Sequence, residues 1–277
     1  MESPVKKQIQ IGLFVVIGWL IAVNLPAQDT LTVMSYNIKH ASGMDTVVNI
    51  NRIADVIKKI HPDLVALQEV DNGVKRSYRT DEPAALADLT GTYSLFSQNI
   101  PFQGGQYGNA ILSRDSVRVW QNVHLPSLYR GEQRGVLVST IPNEIAPVTF
   151  LATHLDYREA NAERLLSITV IDSLADASKT PFVIAAGDFN DTPESEVITK
   201  MRKNFRWANQ CSEQDTVLTF PADFPDRQID YIFYRARKGY SIQCLSFQVL
   251  NEPVASDHRP IVAKLILWKN GNANEHE

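Results

Sequence analysis

From Leu31 to Asn37 (LTVMSYN) apolar and polar positions alternate, the pattern of a strand with one buried face. The period then lengthens. Ile50, Ile53, Ala54 and Ile57 recur at helical spacing, and His61-Pro62 ends that helix, because a residue before proline is driven out of the α region. DLVALQEV (63–70) is a short apolar run, a buried strand ending in Gln68-Glu69. Asp81-Glu82-Pro83 has the make-up of a helix start, with Asp81 as the N-cap and proline in the first turn. Strands are expected at 107–113, 116–123, 134–141 and 147–154. Leu166, Val170 and Leu174 mark one stripe of a helix over roughly 158–176. PFVIAAGDFN (181–190) is another buried strand running into a loop, and strands near 229–234, 241–249 and 260–268 close the pattern. About ten strands and three or four helices, with hairpin-like pairs in the middle and strand–helix–strand units elsewhere, imply two packed mixed sheets flanked by helices.

Residues 1–27 follow a different rule. Lys6 and Lys7 precede an apolar run from Ile11 to Val23, and Asn24-Leu25-Pro26-Ala27 follows. This is the charged, apolar and small-residue sequence of a secretory signal, with cleavage expected after Ala27. The run is shorter than the roughly 20 residues needed to span a bilayer. Leu25 is larger than the ideal residue at its position, which leaves an uncleaved signal anchor as the alternative. The expectation is therefore a leader over 1–27 and one domain over 28–277, exported to the periplasm or the exterior, or anchored through residues 11–23. No Pro/Gly/Ser linker divides residues 28–277.

Composition narrows the class. Across 277 residues, 44% hydrophobic and 21% charged positions describe a packed globular chain and exclude disordered, collagen-like and coiled-coil classes. A net charge of −4 supplies no basic surface for gripping nucleic acid at large, although a bound metal would add local positive charge. Cys211 and Cys244 have no zinc-type spacing. Export would permit them to pair, and two buried thiols are equally compatible with the sequence.

Chemistry concentrates at the strand ends. Asn37, Glu69, His154, the pair Asp188/Asn190 and the pair Asp257/His258 all stand where a strand gives way to a loop. Asp230 adds a carboxylate inside the apolar strand QIDYIFY, where burial is costly unless the charge finds a partner such as histidine. Singly, each has an ordinary structural explanation as a turn, a cap or a satisfied histidine. Those explanations do not account for so many metal- and phosphate-competent side chains recurring at strand ends.

In order, MSYNIKH, LQEV, YGNAILSR, THLD, GDFN, IDYIF and SDHRP resemble the motifs of the endonuclease/exonuclease/phosphatase superfamily, and the strings nearby resemble a branch of secreted bacterial phosphodiesterase-like proteins. The resemblance spans about residues 31–268. It implies a four-layer α/β/β/α sandwich of the DNase I-like kind, with a site where the strand ends of both sheets converge. It also implies roles. Glu69 would bind a metal with Asn37 beside it and Asp257 at or next to it. Hard oxygen donors of this kind suit Mg²⁺ or Mn²⁺ better than zinc. Asp188 would position or deprotonate the attacking water, and Asn190 would hold the phosphate or that water. His258 would face the phosphate, oriented and kept charged by Asp230, and His154 would be the second phosphate-facing histidine. Asn109, in YGNA, is expected to be structural.

Arg76 in NGVKRS and Arg134 in GEQRGVL are candidates for clamping a phosphate through two parallel hydrogen bonds. The expected protein is thus an exported, metal-dependent phosphoester hydrolase, a phosphodiesterase rather than a monoesterase. Its water would be activated by Asp188 and the Asp230–His258 pair. The alternatives are a secreted non-specific endonuclease, a sphingomyelinase-like lipid phosphodiesterase and, last, a binding protein that has lost catalysis. The expected partner is a phosphodiester substrate, whether small molecule, lipid headgroup or nucleic acid, bound by a monomer with no obligate protein partner.

Overall fold

The computed structural model describes residues 27–117 and 119–271, so the expected leader over 1–27 lies, but for Ala27, outside the described residues. Twelve strands and four helices are present among the described residues. The strands are β1 (Gln28–Asn37), β2 (Leu64–Asn72), β3 (Tyr93–Phe102), β4 (Gly105–Ser113), β5 (Val119–His124) and β6 (Gly135–Ile141). They continue with β7 (Val148–His154), β8 (Phe182–Asp188), β9 (Arg206–Trp207), β10 (Asp230–Ala236), β11 (Tyr240–Val249) and β12 (Ile261–Lys269). The helices are α1 (Ile50–Ile60), α2 (Glu82–Thr90), α3 (Ala162–Ala177) and α4 (Glu196–Met201).

Local chemistry explains the helix ends. Asn49 caps α1 by accepting from the backbone N–H groups of Asn51 and Arg52, and His61 leaves the helix in the left-handed region just before Pro62. Asp81 caps α2 by accepting from Ala84, and Gly91, at φ +70°, closes it. Ser195 does the same for α4 by accepting from Ile198.

The strands form two six-stranded sheets, ordered β11-β12-β1-β2-β4-β3 and β5-β6-β7-β8-β10-β9. Each has one parallel pair near its middle, β1/β2 and β7/β8, and each pair is joined through a helix, α1 or α3. Every other pairing is antiparallel. Because successive strand residues face opposite ways, each sheet feeds two cores. Leu31 and Val33 of β1, Phe150 and Ala152 of β7, and Ile184 and Ala186 of β8 fill the space between the sheets. Met34 and Tyr36 face outward under α1 and α2. Val183 and Ala185 face outward under α3 and α4. Helix, sheet, sheet and helix make the four-layer α/β/β/α sandwich of the DNase I-like fold.

Three elements depart from the sequence expectation. β3 is an additional edge strand, β9 a two-residue one, and α3 begins at Ala162 rather than near 158. Cys211 and Cys244 are paired as a disulfide, with Cα atoms 6.3 Å apart, tying the segment after β9 to β11.

Candidate active site

The inward face of four strands carries the apolar core and changes to polar chemistry at the end that meets the cleft. Continuing the inward series of Leu31 and Val33 leads to Asn37. The series Phe150, Ala152 leads to His154, and Ile184, Ala186 leads to Asp188. In β10, Ile232 faces the core and Asp230 lies two residues before it. His154 and Asp188 are register partners across β7/β8, and Asp188 and Asp230 are partners across β8/β10. Three functional side chains therefore form one row across adjacent strands. Asn37 faces them from the other sheet, through a bond from Nδ2 to Asp188.

Glu69 reaches the same place by a different device. Strict alternation would turn it away, since Leu64 and Ala66 face the inter-sheet core while Val65 and Leu67 face the helices. The β2/β4 register shifts between Leu67 and Val70, and Glu69 adopts φ +57°, so a bulge re-aims its side chain into the cleft. His258 and Asp257 come from the loop between β11 and β12. Ser256 Oγ pins that loop by donating to the carbonyl of Asn37 at 2.7 Å.

These groups line a cleft of about 700 Å³. Glu69, Arg76, Arg134, His154, Asp188, Asn190, Asp257 and His258 form its wall, while Asn37 and Asp230 are buried behind it. The cleft thus gathers every residue expected from the sequence. It also contains groups the sequence did not single out: Glu132, Phe102, Tyr107, Tyr157, Phe220 and Arg227. Only Glu132 had a usable signal, lying two residues from Arg134 in GEQRGVL. The aromatics arrive from separate segments, and nothing local distinguishes them from core.

Asp188 is the electrostatic centre. Its Oδ2 accepts from Asn37 Nδ2 at 3.1 Å and lies 3.4 Å from His154 Nε2 and 3.6 Å from His258 Nε2. Its Oδ1 accepts the Asn190 N–H at 2.9 Å. Burial pushes the Asp188 carboxyl up from the ordinary aspartate range, against the pull of His258. His258 Nδ1 lies 3.0 Å from Asp230 Oδ2. Burial alone would lower its pKa, but Asp230, Asp188 and Asp257 outweigh burial and raise it, so the ring is cationic at neutral pH. The Phe220 ring closes one side of His258, centroid to centroid 4.8 Å.

The surroundings bear on three expectations. Asn37 is held by the protein itself: its Oδ1 accepts the Lys39 N–H at 3.1 Å, and its amide donates to Glu69 and Asp188, so it spaces the two carboxylates. One side of the Arg76 fork is taken by the protein itself. Its Nε and Nη2 each donate at 2.9 Å to Asp71, a fully buried carboxylate that needs such a partner, and the guanidinium lies over Phe102 and Tyr107. The end of the guanidinium, Nη1 with the second N–H of Nη2, remains for the cleft that Arg76 lines. Arg134 is likewise engaged, with Nη1 2.9 Å from His154 Nδ1 and 2.7 Å from a Glu132 oxygen. Asn109 is structural, as expected, donating to the carbonyl of Gly135.

Strain accompanies the site. Lys39, His40 and Ala41 run consecutively at positive φ just after Asn37, and Lys39 Nζ reaches Asp257 Oδ2 at 2.9 Å. Asn190 is also left-handed, and its amide donates to the Leu155 carbonyl at 3.1 Å.

The oxygen donors suit a hard divalent cation. Glu69 and Asp257 face the cleft, each with one oxygen already partnered, by Asn37 Nδ2 and Lys39 Nζ respectively, and the two cysteines are locked in a disulfide away from it. Asp188, Asp230 and His258 also bring ligand atoms within 4.8 Å of one another. Within that trio His258 and Asp230 are hydrogen-bonded at 3.0 Å, and His258 Nε2 lies 3.6 Å from Asp188 Oδ2, an arrangement that also suits proton handling.

A buried carboxylate, a cationic histidine, a second histidine and amide donors at the mouth of a two-sheet sandwich define a phosphoester hydrolase. The chain belongs to the Endonuclease/Exonuclease/phosphatase family, whose model matches residues 34–258. It is similar to the protein YbhP of Escherichia coli (strain K12), with 26% identity over 227 residues, 78% of this chain and 87% of that protein. A family structure from Bacteroides thetaiotaomicron aligns with TM-score 0.71 and 16% identity, over 91% of this chain and 99% of that one. The Bacteroides thetaiotaomicron mannosyl-6-phosphatase Bt3783 aligns with TM-score 0.67 and 17% identity, over 85% and 98%. At those identities the structural matches establish the fold.

Proposed function

We propose that the protein is an exported, Mg²⁺- or Mn²⁺-dependent phosphoester hydrolase whose substrate is a phosphodiester. The observation that carries this reading is the His154–Asp188–Asp230 row with His258 docked on Asp230, at the wall of an open cleft. In the proposed reaction Asp188, raised by burial toward neutrality, accepts the proton of an attacking water. Asn190 orients that water or a phosphoryl oxygen. The cationic His258, held by Asp230, faces the developing negative charge, and His154 donates to a second oxygen. Glu69 and Asp257 are the residues that would hold the cation, which supplies charge neutralisation at the non-bridging oxygens.

A small or moderate diester fits the cleft better than long nucleic acid. Three arginines line it against five carboxylates, and two of those arginines are already engaged with buried partners, so the groove offers no stripe of free cations to a polyanion. The monoesterase name of one structural neighbour belongs to that protein; an open cleft has room for groups on both sides of a phosphorus. The test is hydrolysis of bis-p-nitrophenyl phosphate, p-nitrophenyl phosphate, plasmid DNA and sphingomyelin by the purified chain with Mg²⁺. The diester is expected to turn over fastest, EDTA to abolish turnover, and Mg²⁺ or Mn²⁺ to restore it. Glu69→Ala should lose most of the metal dependence. Full activity in excess EDTA, with no metal found by elemental analysis, would sink the cation assignment.

A further inference from the structure

The two cleft histidines both aim Nε2 at Asp188, yet their far nitrogens meet opposite partners. For His258 the partner at Nδ1 is a carboxylate, Asp230 Oδ2 at 3.0 Å. For His154 it is a guanidinium, Arg134 Nη1 at 2.9 Å. That difference fixes chemistry. Arginine has five N–H donors and no acceptor, so the contact is a hydrogen bond only if His154 Nδ1 is bare. The single ring proton must then be on Nε2, the nitrogen 3.4 Å from Asp188 Oδ2. A proton on Nδ1 would set two buried donors against each other.

Arg134 is built to hold that position. It is 6% exposed, lies immediately before β6, and its carbonyl accepts the Leu125 N–H. Its Nη1 lies 2.7 Å from Glu132 Oε1, which balances the buried guanidinium charge, and Tyr157 lies alongside. His154 itself is 5% exposed at the end of a fully buried strand, so its ring has little freedom to turn. Burial, Arg134 and His258 all disfavour a second proton on it, in keeping with this geometry.

We propose that Arg134 is a positioning residue that locks His154 in its Nε2–H tautomer, making it a standing hydrogen-bond donor to a phosphoryl oxygen rather than a group that moves protons. The role of donor to phosphate rests on the hydrolase reading above; the tautomer does not. Proton handling then falls to Asp188 and the Asp230–His258 pair, and the two histidines have separate jobs set by the partner at Nδ1.

The experiment is ¹H–¹⁵N correlation of the histidine ring nitrogens in the full chain, with His154 assigned by loss of its signals in His154→Gln. The expected spectrum has His154 Nδ1 unprotonated and Nε2 protonated at neutral pH. Arg134→Gln, whose amide can still donate to Nδ1, should keep that pattern, and Arg134→Leu should lose it. In turnover of a diester, Arg134→Leu should lower kcat by about 10²-fold, the scale of losing one oriented transition-state donor, with KM changed less than about threefold. Arg134→Gln should recover most of kcat. A His154 ring protonated on Nδ1 in the parent overturns the proposal. So does a tautomer unchanged in a folded Arg134→Leu, or a rise in KM with kcat intact, which would mean that Arg134 grips substrate directly. If Arg134→Leu does not fold, the parent and Arg134→Gln spectra decide. If no phosphoester is hydrolysed, the hydrolase reading falls while the spectrum still decides the tautomer.

Discussion

At the scale of single residues, the Asp230–His258 contact makes the strongest claim on the chemistry. Asp230 is 1% exposed, and its Oδ1 has no partner among the described residues, so Oδ2 and its bond to His258 carry the compensation for burying the charge. Asp230→Asn keeps the shape and removes the charge that orients the ring. It is expected to lower kcat by roughly 10²-fold with the fold intact, the effect of a misplaced catalytic group. His258→Ala should cost at least as much. Because the two act as one unit, the double variant should lose little more than His258→Ala alone. Losses that multiply in steady-state kinetics would give Asp230 an independent task. A second carboxyl, Glu82, is expected to act on stability. Burial pushes it up to about 8 from its ordinary 4.5; one oxygen accepts the Asp71 N–H at 2.8 Å and the other has no partner among the described residues. A carboxyl with a raised folded pKa costs stability as pH climbs from its unfolded to its folded value, and the cost is complete above the latter. Glu82→Gln should therefore raise the melting temperature at pH 9 more than at pH 5, by an amount worth at most a few kcal/mol. Equal shifts at both pH values would show that Glu82 ionises freely. The carboxylates and histidines of the cleft were legible as strand-end residues. The partners of Arg76 and Arg134 were not, since nothing in a sequence says that a nearby Asp71 or a distant His154 will be the group left in need of a donor.

Elements place those residues, and the β7/β8 pair does most of it. Gly187 lies directly opposite Thr153, and a Cβ there would collide with the Thr153 carbonyl oxygen. The close approach of the two strands at their polar ends depends on that missing side chain, one register step before His154 and Asp188. Gly187→Ala should thus destabilise the fold by about 1–3 kcal/mol through overpacking. It should also lower kcat by shifting the row, which denaturant melts together with turnover would detect. Wild-type stability and kinetics in that variant would mean that the sheet absorbs the methyl. Central elements such as this pair were readable because both sheet faces are covered and their strands are apolar runs. β3 was not. It is an edge strand with a register shift between Gln98 and Ile100, half-exposed along most of its length, and it tolerates Pro101 because one side lacks a neighbour. Glu69 was legible as chemistry but not as geometry, because a bulge overrides the alternation from which its direction would be read.

Over the whole molecule, the direction of β1 separates the expected leader from the chemistry. β1 starts at Gln28 and ends at Asn37, whose side chain touches Glu69 and Asp188, so the start of the strand lies about 30 Å from the cleft at roughly 3.3 Å per residue. Trp268 pairs with Gln28 near the end of β12, whose other end follows the His258 loop. Both ends of the described chain therefore lie at the pole opposite the cleft. Export with cleavage after Ala27 should leave Gln28 as the first residue of the native protein, which mass spectrometry would read directly. Deleting residues 1–27 should change kcat and KM by less than about twofold, since no cleft group depends on that pole. An intact Met1 would instead favour the anchor, and the geometry then makes a sharper demand. A chain held at its Gln28 end turns its cleft away from the bilayer that holds it. Reconstituted in vesicles, it should hydrolyse a soluble diester as fast as the truncated chain and leave lipid headgroups of its own bilayer untouched. Rapid cleavage of those headgroups under conditions that prevent transfer between vesicles would show that the cleft reaches back to its own membrane, and would restore the lipid phosphodiesterase reading.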